Sequence, residues 1–549
     1  MRVTLTTLIC LSLAVSFSAP GGYVQRALAA QPPELEESSP GENFLTPTID
    51  LELQPVPLEV PEQFDGWVPA RELQLPQGFR ASVFAAPGLV GPRFMDWSPD
   101  GVLHVANMKV NGSAWSPKHD TREPPARDEM FAQIVALPDE DNDGVADTAL
   151  VVADRLWFPH SLQFHQGALY VGDMHQVVRL RDLDGDGFYE DETVVIGDLP
   201  TGHHRTRTIL FDEGEEKLYL SIGSSCDLCR ETDQLRATIL EADPDGANLR
   251  PYARGLRNAV GMAFHPMTRD LWITGNGHDQ EGPHLPPEMV TVVEDGGFYG
   301  WPVAYGYQVP IDTGIGQYAD AILPLTRQDT LDIESMVRPA VQVYAHLAPM
   351  AIHFYDNSSL PAFDGAALVA MRGSGREEEG HKVVAIFANP DGSGARVGDF
   401  ITGFEGPGDP WGKPVGLEAD SAGNLYLSSD WVTNMIVRIE PPGLPTAVED
   451  KAGLETPAGF LLAQNQPNPF NGNTTIRFAL PVAGEVGLKV FNLLGQRVAE
   501  LVAGWRAAGS YSLRWDGRDA DGRPLPSGVY ICRLEAAGQT QVRKLLLLQ

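Results

Sequence analysis

Two adjacent histidines stand just before an apolar stretch, in the segment Gly202-His203-His204-Arg205-Thr206-Arg207. A neutral imidazole at the start of a strand can act as a general base and remove a proton from a substrate. Either His203 or His204 could have this function, and the pattern does not separate them. A histidine with purely structural contacts is the alternative interpretation.

Two more polar segments precede or follow apolar strands. Arg257 and Asn258 stand in Gly-Leu-Arg-Asn, where a planar, permanently charged guanidinium could hold a carboxylate or another anion. Gly277 and His278 stand in Asn-Gly-His-Asp, where a glycine lets the backbone approach a ligand closely. Backbone carbonyls at Gly277 and His278 could therefore coordinate a hard cation. A salt bridge and a turn explain the same residues without any ligand.

Aromatic and imidazole side chains form two further clusters. One is Phe298-Tyr-Gly-Trp301-Pro302, and the other begins at His346. Such groups either stack on a flat cofactor or pack neighbouring elements together. Both interpretations stay open.

Two loops place acidic residues at alternate positions around a glycine, a pattern that aims oxygen atoms at one point and is typical of calcium loops. The first loop has Asp139, Asp141, Asp143 and Asp147, and the second has Asp182, Asp184, Asp186 and Glu190. Polar Asp-Gly turns between strands are the alternative. On either interpretation we expect the loops to be structural.

The cysteines limit the chemistry further. Cys226 and Cys229 form a Cys-Asp-Leu-Cys pair, which predicts a disulfide in an exported chain. A zinc site would need two more ligands nearby, and covalent haem attachment would need histidine where Arg230 stands.

These segments must be positioned by a repeated element. Each copy consists of an apolar strand, a tight turn and a Leu-Tyr-Val-like strand. The six copies are Met95–Val105, Leu162–Val171, Ile209–Leu220, Met262–Ile273, Ile352–Val369 and Leu417–Leu427. One hairpin cannot bury both faces, so the copies must stack. We predict an all-β protein with a six-bladed β-propeller, and a large β-sandwich is the alternative.

The 549-residue chain divides into five parts. We predict a signal peptide over 1–30, a disordered leader over 31–62, the propeller over 63–440, a linker over 441–459 and a small immunoglobulin-like β-sandwich over 460–549. The formal net charge of -33 argues against nucleic-acid binding, and no stretch is long and apolar enough for a transmembrane span. We expect an exported protein in the periplasm, at the cell surface or outside the cell.

The ordered set of motifs resembles the glucose/sorbosone dehydrogenase family. The resemblance covers about residues 74–440, from His204-Arg-Thr-Arg through Leu218–Cys229, Gly255–Asn258, Asn276–Asp279 and Gly296–Pro302 to Trp411–Gly416. The family is a six-bladed propeller that carries pyrroloquinoline quinone and calcium and oxidises aldoses and related sugar aldehydes. The resemblance thus implies a sugar substrate and an external electron acceptor.

Site residues follow from this resemblance position by position. It implies His204 as general base, with His203 as the alternative, and contacts to quinone or substrate from cofactor-site residues Arg257, Asn258, Arg372, His346 and Lys413. It also implies calcium ligands at the carbonyls of Gly277 and His278. The chain departs from the family at Ser224, where soluble glucose dehydrogenases have an acid, and at Lys413, where relatives more often have arginine.

The tail resembles the C-terminal sorting domains of type IX-exported bacterial proteins, which share the fold of the flagellar hook-cap protein. The matching segments are Gln464–Asn471, Val490–Gln496, Trp515–Asp519, Ser527–Tyr530 and Lys544–Leu548. The resemblance implies an outer-membrane secretion machinery as a partner.

Three functions from different classes remain. The first is a quinone-dependent sugar oxidoreductase. The second is a non-catalytic surface propeller that binds carbohydrate or protein. The third, a calcium-dependent lactone hydrolase, lacks a recognisable ring of acidic ligands in the sequence.

Overall fold

The computed structural model describes residues 41, 44–108, 131–212, 216–355, 360, 362–374, 380–405 and 410–442, together with 460–547 apart from short gaps. The chain forms two compact units, Met1–Ala447 and Val448–Gln549. The predicted signal peptide lies outside the described residues, as does most of the predicted linker.

The first unit begins with three strands. They are β1 (Gln54–Glu59), β2 (Glu72–Leu75) and β3 (Arg80–Ala85), with a 3-10 turn over Glu62–Phe64. β1 pairs with both β2 and β3, and Leu51 and Leu58 are buried in the largest hydrophobic core. The prediction of a disordered leader over 31–62 is therefore wrong for residues 44–62. The segment is rich in Pro and Glu, but it also contains apolar side chains, and its strand β1 covers the edge of β3.

The rest of the unit forms six sheets of four antiparallel strands, as the six hairpin repeats predict. Blade 1 consists of β4 (Pro92–Trp97), β5 (Leu103–Asn107), β6 (Ala132–Leu137) and β7 (Leu150–Leu156). Blade 2 consists of β8 (Ser161–His165), β9 (Ala168–Asp173), β10 (Gln176–Arg181) and β11 (Asp191–Ile196). Blade 3 consists of β12 (Ile209–Asp212), β13 (Lys217–Ile222), β14 (Thr238–Ala242) and β15 (Arg250–Arg254).

Blade 4 contains an insertion. Its strands are β16 (Asn258–Phe264), β17 (Leu271–Asn276), β18 (Glu288–Val292) and β21 (Val341–Val343). The insertion between the last two holds β19 (Ala304–Tyr305), β20 (Val309–Pro310), α1 (Gly316–Ile322) and α2 (Arg327–Glu334). α2 begins with a capping box between Thr326 and Asp329, which satisfies free backbone N–H groups at the start of the helix.

Two blades complete the ring. Blade 5 consists of β22 (Pro349–Tyr355), β23 (Ala366–Met371), β24 (Lys382–Phe387) and β25 (Arg396–Ile401). Blade 6 consists of β26 (Pro414–Ala419), β27 (Leu425–Ser429) and β28 (Met435–Glu440), and its outer strand is β3. The ring is therefore closed by pairing the beginning of the propeller with its end.

Local sequence explains the hairpins. In blade 2, Gln166 and Gly167 have φ of 47° and 76°, and His165 pairs with Ala168 on either side. This is the two-residue turn whose twist matches that of paired strands. All six residues of β9 are buried, as expected for a strand covered on both faces by neighbouring blades.

The innermost strands β4, β8, β12, β16, β22 and β26 contact one another around the axis. Since each pairs antiparallel with the strand that follows it, all six begin at the same end of the ring, where their partners end. We call this end the entrance face. Buried hydroxyls join neighbouring blades there: Ser161 Oγ donates to Arg207 O at 2.9 Å, and Ser428 Oγ donates to Arg93 O at 2.7 Å.

The second unit is a β-sandwich with its own core. One sheet contains β29 (Leu461–Leu462), β30 (Thr474–Leu480) and β33 (Gly509–Trp515), and the other contains β31 (Gly484–Phe491), β32 (Arg497–Arg506), β34 (Gly528–Ala536) and β35 (Gln539–Leu547). Leu488, Val490, Leu534 and Leu545 are fully buried in its core. This confirms the predicted immunoglobulin-like tail. In the described part of the chain, no helix combines the length and the hydropathy needed to cross a membrane.

Candidate active site

Three distant segments are joined at the entrance face. The backbone N–H of His204, before β12, donates to Ser224 O at 3.3 Å, after β13. The N–H of Ser224 donates to Arg257 O at 2.7 Å, before β16. A Cβ on Gly223 would lie 2.5 Å from His204 Cβ and 2.6 Å from Asn258 Oδ1, so only glycine permits this approach. The fold thus brings the predicted base beside the predicted Arg257 and Asn258.

The His204 ring is held in one tautomer. Its Nδ1 lies 3.0 Å from both the carbonyl oxygen and the hydroxyl of Ser224, and that hydroxyl donates to Cys226 O at 2.6 Å. Because a carbonyl oxygen only accepts, Nδ1 carries the proton and Nε2 carries the lone pair. Burial, and next the charge of Arg257, hold the pKa of His204 well below its usual value. His204 is therefore a neutral imidazole with a basic Nε2 near neutral pH.

His203 occupies a different environment. Its side chain is exposed, and its ring packs edge-on against that of His204 with centroids 4.6 Å apart. Burial and the charge of Arg257 lower its pKa. The geometry favours His204 as the base, because its carbonyl partner fixes the ring.

Arg257 is buried, with 6% of its side chain exposed, and is bound by two carboxylates. Nε donates to Asp227 O at 2.9 Å, while Nη2 donates to Asp227 Oδ1 at 2.8 Å and to Asp279 Oδ2 at 3.3 Å. Nη1 donates no hydrogen bond to the described residues. Sequence reasoning gave neither aspartate a function, although both stand inside quoted motifs. Beside Arg257, the buried Oδ1 of Asn258 has no hydrogen-bond partner among the described residues.

Glu288, also missed from the sequence, holds the predicted calcium segment in place. Its carboxylate accepts the N–H of Gly277 at 2.6 Å and the N–H of His346 at 3.1 Å. Burial raises its pKa to about 7, against the opposing effect of the Gly277 N–H. The buried His278 ring lies 3.1 Å from Glu281 Oε1. Its Nε2 thus faces a carboxylate, and a calcium ligand at the His278 backbone carbonyl stays a prediction.

Arg257 and the segment of Gly277 and His278 border a cavity whose empty space, open solvent included, is about 400 Å³. The aromatic rings of Tyr299 and Trp301 also line it, whereas His204 and Asn258 are not among its lining residues. The insertion of blade 4 supplies Trp301, whose backbone N–H donates to Gly255 O at 3.0 Å. The aromatic rings and the free Arg257 Nη1, a hydrogen-bond donor, suit a planar ligand that carries oxygen acceptors.

Arg372 and Lys413 lie elsewhere on the entrance face. Arg372 Nε lies 3.0 Å from both oxygens of Asp430, which also binds Arg93. Lys413 lies over the ring of Trp431, 5.3 Å from its centroid. Arg372 and Lys413 thus belong to a group on blades 1, 2, 5 and 6, whereas His204 and Arg257 stand on blades 3 and 4.

His160 connects this second group to the first. Arg93 Nε donates to His160 Nδ1 at 3.2 Å, and the buried His160 Nε2 has no partner among the described residues. Burial, then the charges of Arg93 and Arg207, hold the pKa of His160 well below its usual value. Arg207 in turn donates to His204 O at 3.3 Å. Sequence reasoning missed Arg93, His160 and Asp430, although all three stand at strand starts or ends that the repeat register identifies.

The two acidic loops lie at the opposite end of the ring, since they connect β6 to β7 and β10 to β11. Carboxylate oxygens of Asp139, Asp141 and Asp147 lie within 4.8 Å of one another, and the same holds for Asp182, Asp184 and Glu190. The carboxylates of Asp143 and Asp186 lie outside these groups and accept the backbone N–H groups of Val145 and Phe188. The structure therefore groups three of the four predicted ligands in each loop and places both groups far from His204.

Cys226 and Cys229 are joined by a disulfide. Cys532, in the second unit, is a buried free thiol whose pKa burial raises to about 12. The disulfide therefore lies at the entrance face, within the segment that carries Asp227.

Comparisons with known proteins support the architecture. A family described as a domain of unknown function (DUF7133) matches residues 69–297, and the FlgD Ig-like domain matches residues 465–540. An uncharacterized protein of Borreliella burgdorferi is 23% identical over 384 residues, covering 67% of this chain and 90% of the relative. The aldose sugar dehydrogenase YliI of Escherichia coli is 26% identical over 133 residues, covering 20% of this chain and 34% of the enzyme.

Solved structures share the propeller. A carbohydrate-active enzyme of family AA12 from Trichoderma reesei is 19% identical with a TM-score of 0.54, over 67% of this chain and 96% of that one. The PQQ domain of a pyranose dehydrogenase from Coprinopsis cinerea is 19% identical with a TM-score of 0.53, over 70% of this chain and 99% of that one. At this identity the likeness concerns the fold alone.

Proposed function

We propose that the propeller is a sugar oxidoreductase that oxidises an aldose or a related sugar alcohol or aldehyde with pyrroloquinoline quinone and calcium. The observation that carries this proposal is the His204 tautomer. A neutral ring with its lone pair on Nε2, next to an arginine and an unpartnered amide oxygen, suits proton removal from a sugar hydroxyl.

Each residue contributes a separate function. His204 Nε2 takes the hydroxyl proton, while Nδ1–H stays bound to Ser224 O. Arg257 Nη1 and Asn258 provide a donor and an amide for the oxygen atoms of the ligand, and the carbonyls of Gly277 and His278 would hold calcium. The quinone, when bound, supplies the hydride acceptor. Arg372, which binds Asp430, and Lys413 would provide further contacts to the quinone.

Dye reduction tests this function. Purified protein supplied with pyrroloquinoline quinone and calcium should reduce an artificial acceptor in the presence of one or more aldoses. His204→Gln should lower kcat at least about 100-fold, the lower range of general base catalysis, whereas His203→Gln should retain most activity. Equal losses of activity in both variants would contradict the assignment of His204 as the base. If the absorption spectrum of the quinone does not change on mixing with the protein, the proposed quinone-dependent activity is wrong.

A non-catalytic propeller that binds carbohydrate or protein is the second candidate. One observation favours it: Asp227 and Asp279 already neutralise Arg257, which weakens its attraction for an anionic cofactor. Sugar binding to the protein without quinone, measured by calorimetry and unaffected by His204→Gln, would support this candidate instead.

Export belongs to the same proposal. A signal peptide over 1–30 and a sorting domain over 460–549 would deliver the enzyme through an outer-membrane secretion machinery to the cell surface or beyond, where an external acceptor reoxidises it. Cell fractionation of the full chain and of a chain without residues 460–549 tests this. Retention of the full chain in the cytoplasm would contradict it.

A further inference from the structure

We infer that Asp227, held in a loop closed by the Cys226–Cys229 disulfide, is a positioning residue that orients Arg257 toward the cavity and fixes the backbone of Asp279 beside it. The expected effect of Asp227 on ligand affinity rests on the proposed function. The contacts on which the inference rests are independent of that function.

Asp227 accepts hydrogen bonds at all three of its oxygen atoms. Its carbonyl accepts Arg257 Nε at 2.9 Å and Trp301 Nε1 at 3.2 Å. Its Oδ1 accepts Arg257 Nη2 at 2.8 Å and the Asp279 N–H at 2.9 Å, and its Oδ2 accepts the Tyr318 hydroxyl at 2.8 Å. One residue of blade 3 therefore binds the start of β16, the segment after β17, and the insertion.

These contacts determine which edge of Arg257 remains available. Nε and Nη2 both face Asp227, so the guanidinium is held along one edge by a hydrogen bond to the carbonyl and a charge-assisted one to the carboxylate of the same residue. Nη1 is the nitrogen left without a partner among the described residues. Because Arg257 lines the cavity, Asp227 decides the direction in which its free N–H groups point.

The disulfide fixes the loop that carries this aspartate. The Ser224 hydroxyl donates to Cys226 O, and the Ser225 N–H donates to Glu231 at 2.6 Å. Residues that flank the disulfide-closed loop therefore also hold it in place. The entropic gain from a disulfide falls as the loop it closes becomes shorter. A bridge across only two intervening residues therefore acts mainly on local geometry, here on the orientation of the Asp227 carbonyl and carboxylate.

Asp227 is distinct from the acid that the family has at the position of Ser224. That acid would lie beside the histidine, whereas Asp227 accepts hydrogen bonds from Arg257, Trp301, Asp279 and Tyr318. We therefore expect Asp227 to change how the ligand is held and to leave the His204 tautomer intact.

Three variants test the inference. Asp227→Asn removes the charge, and the double variant Cys226→Ser with Cys229→Ser opens the loop but keeps the carboxylate. Asp295→Asn is the matched control, because Asp295 also binds an arginine through two hydrogen bonds, at Arg250 on the exposed surface. With each protein we would titrate pyrroloquinoline quinone and calcium and measure the dissociation constant and the melting temperature.

We expect Asp227→Asn to weaken quinone binding tenfold or more, the double variant to weaken it severalfold, and the control to leave it unchanged, with all melting temperatures within a few degrees. Unchanged quinone affinity in Asp227→Asn would overturn the inference while the proposed function stands. A large fall in melting temperature with the same loss of affinity would show a merely structural residue and would also overturn it.

A second readout needs no cofactor. Phenylglyoxal modifies accessible arginines, and mass spectrometry can follow the Arg257 peptide with Arg254, paired to Asp332, as the internal reference. We expect Arg257 to react severalfold faster in Asp227→Asn and in the double variant, with Arg254 unchanged. If the wild type binds no quinone, the proposed function fails and this measurement still decides the inference. Equal Arg257 reactivity in all proteins would overturn it.

Discussion

Burial shifts the pKa values of titratable side chains at the entrance face toward their neutral forms. Burial lowers the pKa of His204 and His160 well below the usual value and raises that of Glu288 to about 7. Groups with shifted pKa values in a cleft are typical of functional sites. These pKa shifts also make the stability of the fold depend on pH. The buried carboxyl groups lower stability as pH rises, and the histidines lower it as pH falls.

Asp173 gives the clearest prediction at this scale. It is buried at the end of β9, accepts the N–H groups of Trp157 and Met174, and burial raises its pKa to about 7. Because its folded pKa exceeds the unfolded value, its contribution is present below about pH 4 and is lost as pH rises to 7. At about 1.4 kcal/mol per pKa unit the loss is on the order of 4 kcal/mol.

Asp173→Asn should therefore gain stability relative to the wild type as pH rises from 4 to 8. Denaturant unfolding at several pH values measures this, and Asp154→Asn on the exposed surface controls for charge removal. A constant difference between variant and wild type across this range would contradict the assigned shift.

The half-buried His353 acts in the other direction. Burial lowers the pKa of His353 to about 4, so the folded state resists protonation that the unfolded chain accepts below about pH 6.5. Stability should fall as pH drops from 6.5 towards 4. We expect the stability of His353→Gln to fall less than that of the wild type between pH 6.5 and 4 in the same unfolding experiment. An equal fall in both proteins would show that other groups cause the loss of stability in acid.

The strand that closes the ring is the most sensitive element. Val83 in β3 is fully buried and pairs with Val437 of β28, which joins the two ends of the propeller. An unpaired carboxylate there should cost at least about 4 kcal/mol. We predict that Val83→Asp unfolds the propeller at room temperature or nearly so, as read by denaturant titration. Val151→Asp, on the exposed side of β7, should change stability by less than about 0.5 kcal/mol. Similar effects of both would contradict ring closure by β3.

The acidic loops give a second prediction at the scale of the element. If they bind calcium, adding the ion after chelation should raise the melting temperature by a few degrees. Asp141→Asn with Asp184→Asn should reduce that rise, since these carboxylates face the acidic groups. Asp143→Asn with Asp186→Asn is the control, because these carboxylates lie outside the two groups of three converging acids. An unchanged melting temperature in the wild type would favour simple polar turns.

At the scale of the whole molecule, each unit has a core of its own. The residues buried in the sandwich come from the second unit alone. A chain that ends at Ala447 should therefore melt within about 2 °C of the propeller transition of the full chain and bind quinone equally well, as differential scanning calorimetry and titration would measure. A large loss of propeller stability would contradict independent folding.

The amino-acid sequence by itself determined the class of fold, because alternating apolar strands and tight turns are local patterns. It identified all six hairpins, the end of the propeller at residue 440 and the sandwich tail. It also identified the segments that carry His204, Arg257 and Gly277. The prediction of disorder from composition was wrong for residues 44–62. Strand β1 in this segment pairs with the edge of β3, and Leu51 and Leu58 are buried.

Only the tertiary structure decided which side chains meet. Arg93 and Asp430 are 337 residues apart, yet they bind because the ring closes. The carbonyl that fixes the His204 tautomer, and the Asp227 contacts that orient Arg257, likewise join different segments. The physical reason is that strand propensity and turn chemistry act between near neighbours. Hydrogen bonds, burial and the resulting pKa values depend on distances that exist only after the blades have packed around their axis.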